Sequence, residues 1–120
     1  MKELLRLELD TLPPTVNHMH MKVRGRVFRT EDCRDFQEQT VAKLRTLWNK
    51  PPFTGRTAVI YIFTTNNKRH WDIDNRLKAL QDCLAMAGVI KNDWQIDFTQ
   101  IERRYTEKIS TTLILKSIED

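Results

Sequence analysis

Glycine is scarce in this chain of 120 residues: Gly25, Gly55 and Gly88 are the only three. Loops that cradle phosphates with backbone N–H groups need several closely spaced glycines, so a glycine-rich nucleotide loop is excluded. Cysteine is scarcer still. Cys33 and Cys83 stand far apart with no partner pattern, which predicts two reduced, half-buried thiols instead of a disulfide framework. Neither lies near a histidine in sequence, which leaves a thiol nucleophile weakly supported, and His18, His20 and His70 do not form a zinc-binding pattern. No apolar run reaches the roughly 18–20 residues of a membrane span. Met1–Asp10 alternates acids, bases and leucines, unlike a signal peptide, so a cytoplasmic location is expected. The length excludes α/β barrels and complete dinucleotide-binding enzymes. It predicts one domain over residues 1–120, able to bury roughly two-thirds of its unfolded surface.

Acidic residues are missing from one stretch in particular. Between Thr11 and Thr30 there is no carboxylate, while His18, His20, Lys22, Arg24, Arg26 and Arg29 all fall there. A second basic cluster, Lys68-Arg69-His70, precedes two aspartates. The overall formal charge is only +4. The clustering suggests a polyanionic partner, although each patch taken alone also reads as a solvated charged face.

Leu5, Leu7 and Leu9 alternate with Arg6, Glu8 and Asp10, the pattern of a half-buried strand that Pro13-Pro14 would end. Met21–Arg29 reads as a basic hairpin turning at Arg24-Gly25 or Gly25-Arg26. Thr30 is placed to cap a helix with Glu31 and Asp32 in its first turn. Phe36, Val41, Leu44 and Leu47 or Trp48 then follow at helical spacing, up to Pro51-Pro52. Thr57–Thr65 is β-branched and aromatic on both faces, as in a strand covered on both sides. A second helix is predicted from about Asp74 to Ala87, with Leu77, Leu80, Leu84 and Ala87 as its apolar stripe and Gly88 after its end. Two strands, near Gln95–Tyr105 and Ile109–Ser117, complete the chain. The sum is an α+β fold: a small mixed sheet of about four strands plus the basic hairpin, flanked by two helices.

The segment Lys68–Trp94 carries the chemistry. At helical spacing Asp74, Lys78 and Asp82 form an acid–base–acid row away from the apolar stripe, with Asp72 just before it and Asp93 after Gly88. Each piece has an ordinary reading: a helix cap at Asp72 or Asp74, i,i+4 pairs along the row, a turn residue at Asp93. Together they are harder to dismiss. Two carboxylates one residue apart exceed what a cap needs and repel unless a cation sits between them. Hard carboxylate oxygens suit Mg²⁺ or Mn²⁺ over Zn²⁺. A divalent ion beside a basic patch suits phosphodiester hydrolysis. The Asp-x-Asp spacing of phosphatases with a doubly wound sheet fits poorly, because too little chain follows Asp74.

In Asp72, Asp74, Asn75, Lys78, Asp82, Gly88 and Asp93 the sequence resembles the RusA family of Holliday-junction resolvases. The resemblance extends upstream to Pro13-Pro14, to Asn17 and to the basic segment around Gly25. It implies a homodimeric, Mg²⁺-dependent endonuclease, with Mn²⁺ as a substitute. Such an enzyme resolves four-way DNA junctions by paired symmetric nicks in recombination and repair. It implies that Asp72, Asp74 and Asp93 are the catalytic metal ligands. Lys78 would neutralise charge on the phosphate, and Asp82 would support Lys78. The expected DNA-contacting set is Asn17, Lys22, Arg24, Arg26, Arg29, Lys68, Arg69 and Asn75. The chain departs from the family pattern at Trp71, where a basic residue or proline is usual, and at Asn92-Asp93, where two aspartates are common. A nucleoid-associated enzyme, often carried by prophages, is the corresponding setting. Two rivals remain: a non-catalytic nucleic-acid-binding module, and a nuclease for flaps or single strands. Paired nicks call for two copies. Ala79, Cys83 and Met86 form a small apolar stripe that either a second copy or this chain's own elements would cover.

Overall fold

The computed structural model describes residues 1–66 and 71–119. Strand β1 (Lys2–Leu9) is followed by a 3-10 turn (Val16–His18) and a hairpin of β2 (His20–Val23) and β3 (Arg26–Arg29). Helix α1 (Glu31–Leu47), strand β4 (Thr57–Thr65) and helix α2 (Leu77–Met86) come next. A 3-10 turn (Asp93–Gln95), β5 (Ile96–Tyr105) and β6 (Ser110–Ser117) complete the order. The main sheet runs β1-β6-β4-β5 and is mixed: β4 and β5 are parallel, the other neighbours antiparallel. The parallel pair is the one joined through α2, because parallel neighbours need a crossover. The expected α+β architecture with a four-stranded sheet and a separate hairpin is thus present.

Period-2 alternation decides which face is inside. Leu5 and Leu7 of β1, Val59, Tyr61 and Phe63 of β4, and Leu113 and Leu115 of β6 are buried against Val41 and Leu44 of α1 and Leu80, Cys83 and Leu84 of α2. Both helices therefore cover the same face. The expectation that β4 is covered on both sides needs correcting. Ile60, Ile62 and Thr64 point the other way and are only half-buried. Their shielding comes from sheet neighbours: Ile60 lies between Ile114 and Gln100, and Ala58 between Lys116 and Phe98. A continuous apolar run suits one covered face and one face shielded by cross-strand neighbours as well as it suits two covered faces.

Thr30 caps α1 as expected, its Oγ1 accepting from the Cys33 N–H at 3.2 Å while donating to the His18 carbonyl at 2.7 Å. Of the two candidates for the last core position, Trp48 is buried and Leu47 exposed. The hairpin turns at Arg24-Gly25, both with positive φ (50° and 78°), the conformation of a type I′ turn. Cys33 and Cys83 are free and fully buried, not half-buried. Ala79 and Cys83 are covered within the chain, Ala79 clustering with Met19 and Cys33, so they offer no surface to a second copy. Among the described residues no helix is long and apolar enough to cross a membrane.

Candidate metal and DNA site

Helix α2 begins at Leu77, three residues later than the spacing predicts. The chain before it folds as successive turns, with the Asn75 N–H donating to the Asp72 carbonyl at 2.9 Å and the Leu77 N–H to the Asp74 carbonyl at 3.4 Å. The N-cap residue is Arg76, and no side chain caps the helix. Asp72 and Asp74 are consequently not caps. Both are exposed, and neither carboxylate bonds to another described residue. Asp74 also leaves the predicted acid–base–acid row: it lies in the turn before the helix and makes no ion pair with Lys78.

The Lys78 ammonium instead lies 2.8 Å from Asp82 and 3.7 Å from Asp93. Its hydrogen bond to Asp82, and then the charges of Asp82 and Asp93, raise its pKa above the ordinary lysine value despite some desolvation. Lys78 is therefore a permanent cation near neutrality and cannot serve as a base. Among the described residues no three His, Cys, Asp or Glu side chains lie close enough together to hold one ion. The donor chemistry nevertheless fits a hard divalent cation. Two carboxylates without a partner among the described residues stand in one turn, and a third, Asp93, faces a side chain that already carries positive charge.

Asp93 is positioned by a residue that the sequence pattern alone does not single out. Asn92 caps the 3-10 turn in a capping box with Gln95. Buried Gln95 accepts from the N–H groups of Lys91 (2.8 Å) and Asn92 (3.0 Å) and donates to the carbonyls of Phe53 (2.8 Å) and Gly55 (2.9 Å). All four bonding positions of the amide are used, which ties the Asp93 turn to the loop before β4. The Asn-x-x-Gln spacing was the available signal.

The basic hairpin reaches the same region. A cavity of about 420 Å³ is lined by His20 and Arg29 of the hairpin, Asp82 of α2, and Lys91, Asn92 and Asp93. Buried Gln37 anchors this arrangement, accepting from Arg29 at 2.7 Å and donating to the Ala79 carbonyl at 3.2 Å. Nothing in the sequence pattern of α1 marked Gln37. Lys22, Arg24 and Arg26 are exposed along the hairpin. Asn17 is exposed in the turn whose Val16 N–H donates to the Asn75 carbonyl at 2.8 Å, a bond that joins that turn to the segment carrying the two aspartates. The predicted DNA-binding residues Lys68 and Arg69 lie outside the described residues. A larger cavity, about 730 Å³, involves Glu8, Phe36, Lys43 and Lys108 and none of these site residues.

The family model described as Endodeoxyribonuclease RusA matches residues 11–115, a span that contains the hairpin, the aspartate turn, Lys78 and Asp93. The crossover junction endodeoxyribonuclease RusA of Aquifex aeolicus (strain VF5) is 30% identical over 92 residues, covering 76% of this chain and 73% of that protein. The chain therefore belongs to the RusA family of divalent-metal-dependent endodeoxyribonucleases, the enzymes that resolve Holliday junctions.

Proposed function

We propose that Asp72, Asp74 and Asp93 hold the catalytic cation, Mg²⁺ or in its place Mn²⁺, and that Lys78 meets the scissile phosphate of a four-way junction. The observation that carries this reading is the Lys78 ammonium, set between Asp82 and Asp93 beside a turn whose two aspartates have no partner among the described residues. When bound, the ion acidifies a water and stabilises the leaving oxygen. Lys78 presents a fixed positive charge to the phosphate as negative charge builds in the transition state. Asp82 orients Lys78 through their 2.8 Å contact and keeps it protonated. Without the cation, the carboxylates repel the DNA backbone, so catalysis and tight binding ask opposite things of them.

The hairpin supplies the binding surface. Lys22, Arg24 and Arg26 contact phosphates of a junction arm, and Arg29 and His20 line the cavity through which the strand reaches Asp93. Asn17 and Asn75 contact the strand next to the aspartate turn, with Lys68 and Arg69 as further phosphate contacts. Two symmetric nicks call for a two-fold pair of active sites, supplied by a homodimer. The sheet face that bears Ile60, Ile62, Ile114 and Phe98, which no helix covers among the described residues, is the surface on which a second copy packs. The enzyme acts in the cytoplasm on recombining DNA.

The test is cleavage of labelled four-way junction, flap and linear duplex, with and without Mg²⁺. Paired nicks on the junction alone, only with metal, are expected. Preferred cutting of flaps or single strands would assign another substrate, and binding without cutting would assign a non-catalytic module.

A further inference from the structure

Trp71 stands directly before Asp72. Two guanidinium groups, those of Arg76 and Arg103, lie over its indole, each 4.8 Å from a ring centroid. The ring edge meets Phe63, centroid to centroid 6.0 Å at an interplanar angle of 73°, and Phe63 is fully buried in the core. Arg103 of β5 also donates a hydrogen bond to the Trp71 carbonyl. Arg76 donates to the Pro13 carbonyl at 2.6 Å, and the Val16 N–H donates to the Asn75 carbonyl at 2.8 Å.

These contacts have one geometric consequence. Asp72, Ile73 and Asp74 form a three-residue span pinned at both ends. One end is tied at Trp71 to the core and to β5. The other is tied at Asn75 and Arg76 to the loop that follows β1. Ordering a free turn costs backbone entropy, and gathering two like charges costs more. A turn already fixed has met the first cost before any ion arrives. Burial lowers the pKa of Arg76, but from so high a value that it stays charged. Cation–π attraction and the carbonyl acceptors offset the repulsion between the two guanidinium groups.

We infer that the Arg76–Trp71–Arg103 stack is a positioning device for the metal site, fixing the Asp72–Asp74 turn so that its carboxylates bind the cation as a preformed pair. Trp71, Arg76 and Arg103 are positioning residues, and Trp71 is not a base-stacking contact. The inference rests on the aspartates being metal ligands, as proposed above.

The experiment measures Mn²⁺ binding to the DNA-free protein by electron paramagnetic resonance of the free ion. It is run on wild type, Trp71→Leu, Trp71→Phe, Arg103→Gln and Asp93→Asn. Trp71→Leu and Arg103→Gln should weaken Mn²⁺ binding about tenfold or more, the usual effect of removing groups that orient metal ligands. Trp71→Phe, which keeps an aromatic face for the arginines, should lie between them and wild type. In cleavage assays the Mg²⁺ concentration for half-maximal rate should rise by the same factor, with kcat at saturating Mg²⁺ near that of wild type. Metal-free junction affinity should not change. If Trp71→Leu does not fold, Arg103→Gln and Trp71→Phe decide the matter by the same readouts. Mn²⁺ affinity within twofold of wild type in the folded variants overturns the inference, as does a loss of metal-free junction affinity in Trp71→Leu. Asp93→Asn separates the two ideas: if it binds Mn²⁺ as wild type does, the metal-site reading itself fails. If it loses the ion while the stack variants keep it, only the positioning role fails.

Discussion

At the scale of single residues, charge and burial assign different tasks to side chains that look alike in sequence. Asp72 and Asp74 have no partner among the described residues, whereas Asp82 is committed to Lys78. Asp72→Asn, Asp74→Asn and Asp93→Asn should each abolish cleavage while leaving junction binding intact or tighter. Asparagine keeps the shape but removes the charge that holds a cation and repels phosphate. Gel-shift and cleavage assays on the same preparations check this, and any variant that cuts at the wild-type rate is not a ligand. Lys78→Met should lower kcat about a hundredfold, with Lys78→Arg recovering part of it. Because the pKa of Lys78 is raised, any stability it contributes is complete below the ordinary lysine value and disappears only as pH rises through the higher folded value. No fall in activity below about pH 10 should therefore trace to Lys78.

The two thiols follow the opposite logic. Burial, helped by the negative charge of Asp82 and of Cys33, pushes Cys83 up to about 12 from 9.0. Burial raises Cys33 as well. An aromatic disulfide reagent should find no reactive thiol in the native protein at neutral pH, and both after denaturation. The unfolded thiols ionise first on going alkaline, so their contribution to stability should fall from about pH 9 to about pH 12, as urea melts across that range would record.

At the scale of elements, the hairpin separates turn geometry from charge. Arg24 occupies a positive-φ position at 50°, which asparagine tolerates better than arginine. Arg24→Asn should therefore keep the turn while deleting one charge. Combined with Lys22→Gln and Arg26→Gln, it should reduce the slope of log affinity against log salt by about 0.9 for each duplex phosphate that the hairpin no longer neutralises. Arg29 is left in place because its bond to Gln37 holds the hairpin to the body of the protein. Fluorescence anisotropy with a labelled junction at several salt concentrations measures the slope. An unchanged slope would remove the hairpin from the DNA interface.

At the scale of the whole molecule, both helices pack on one face of the sheet, and among the described residues no helix covers the other. Ile60→Lys introduces a charge between Ile114 and Gln100 on that face. It should convert a dimer to a monomer in light scattering at micromolar concentration, with an unchanged circular dichroism spectrum. A cruciform plasmid should then be nicked singly instead of linearised. A variant that stays dimeric would place the two-fold contact elsewhere.

Local pattern alone determined the elements whose signals are local: the alternating leucines of β1, the Thr30 cap, the existence of the hairpin turn at Gly25 and the stop at Gly88, while the backbone of the folded chain chose Arg24-Gly25 over Gly25-Arg26 for that turn. Local pattern also supplied the candidate site residues, because Asp72, Asp74, Lys78, Asp82 and Asp93 fall within one short stretch at characteristic spacing. Tertiary structure decided the rest. Helical periodicity placed Asp74 in a row with Lys78, but the chain before Leu77 is held in turns by contacts from Val16, Pro13 and Arg103, which lie far away in sequence. Periodicity carries no information about such partners. The same holds for the ammonium between Asp82 and Asp93, for Gln37 and Gln95, whose amides bridge distant backbone groups, and for the second apolar stripe of α2, where this chain's own residues cover Ala79 and Cys83 and leave Met86 exposed. Which face of β4 is buried follows from where both helices dock, a choice made only when the sheet and helices pack together.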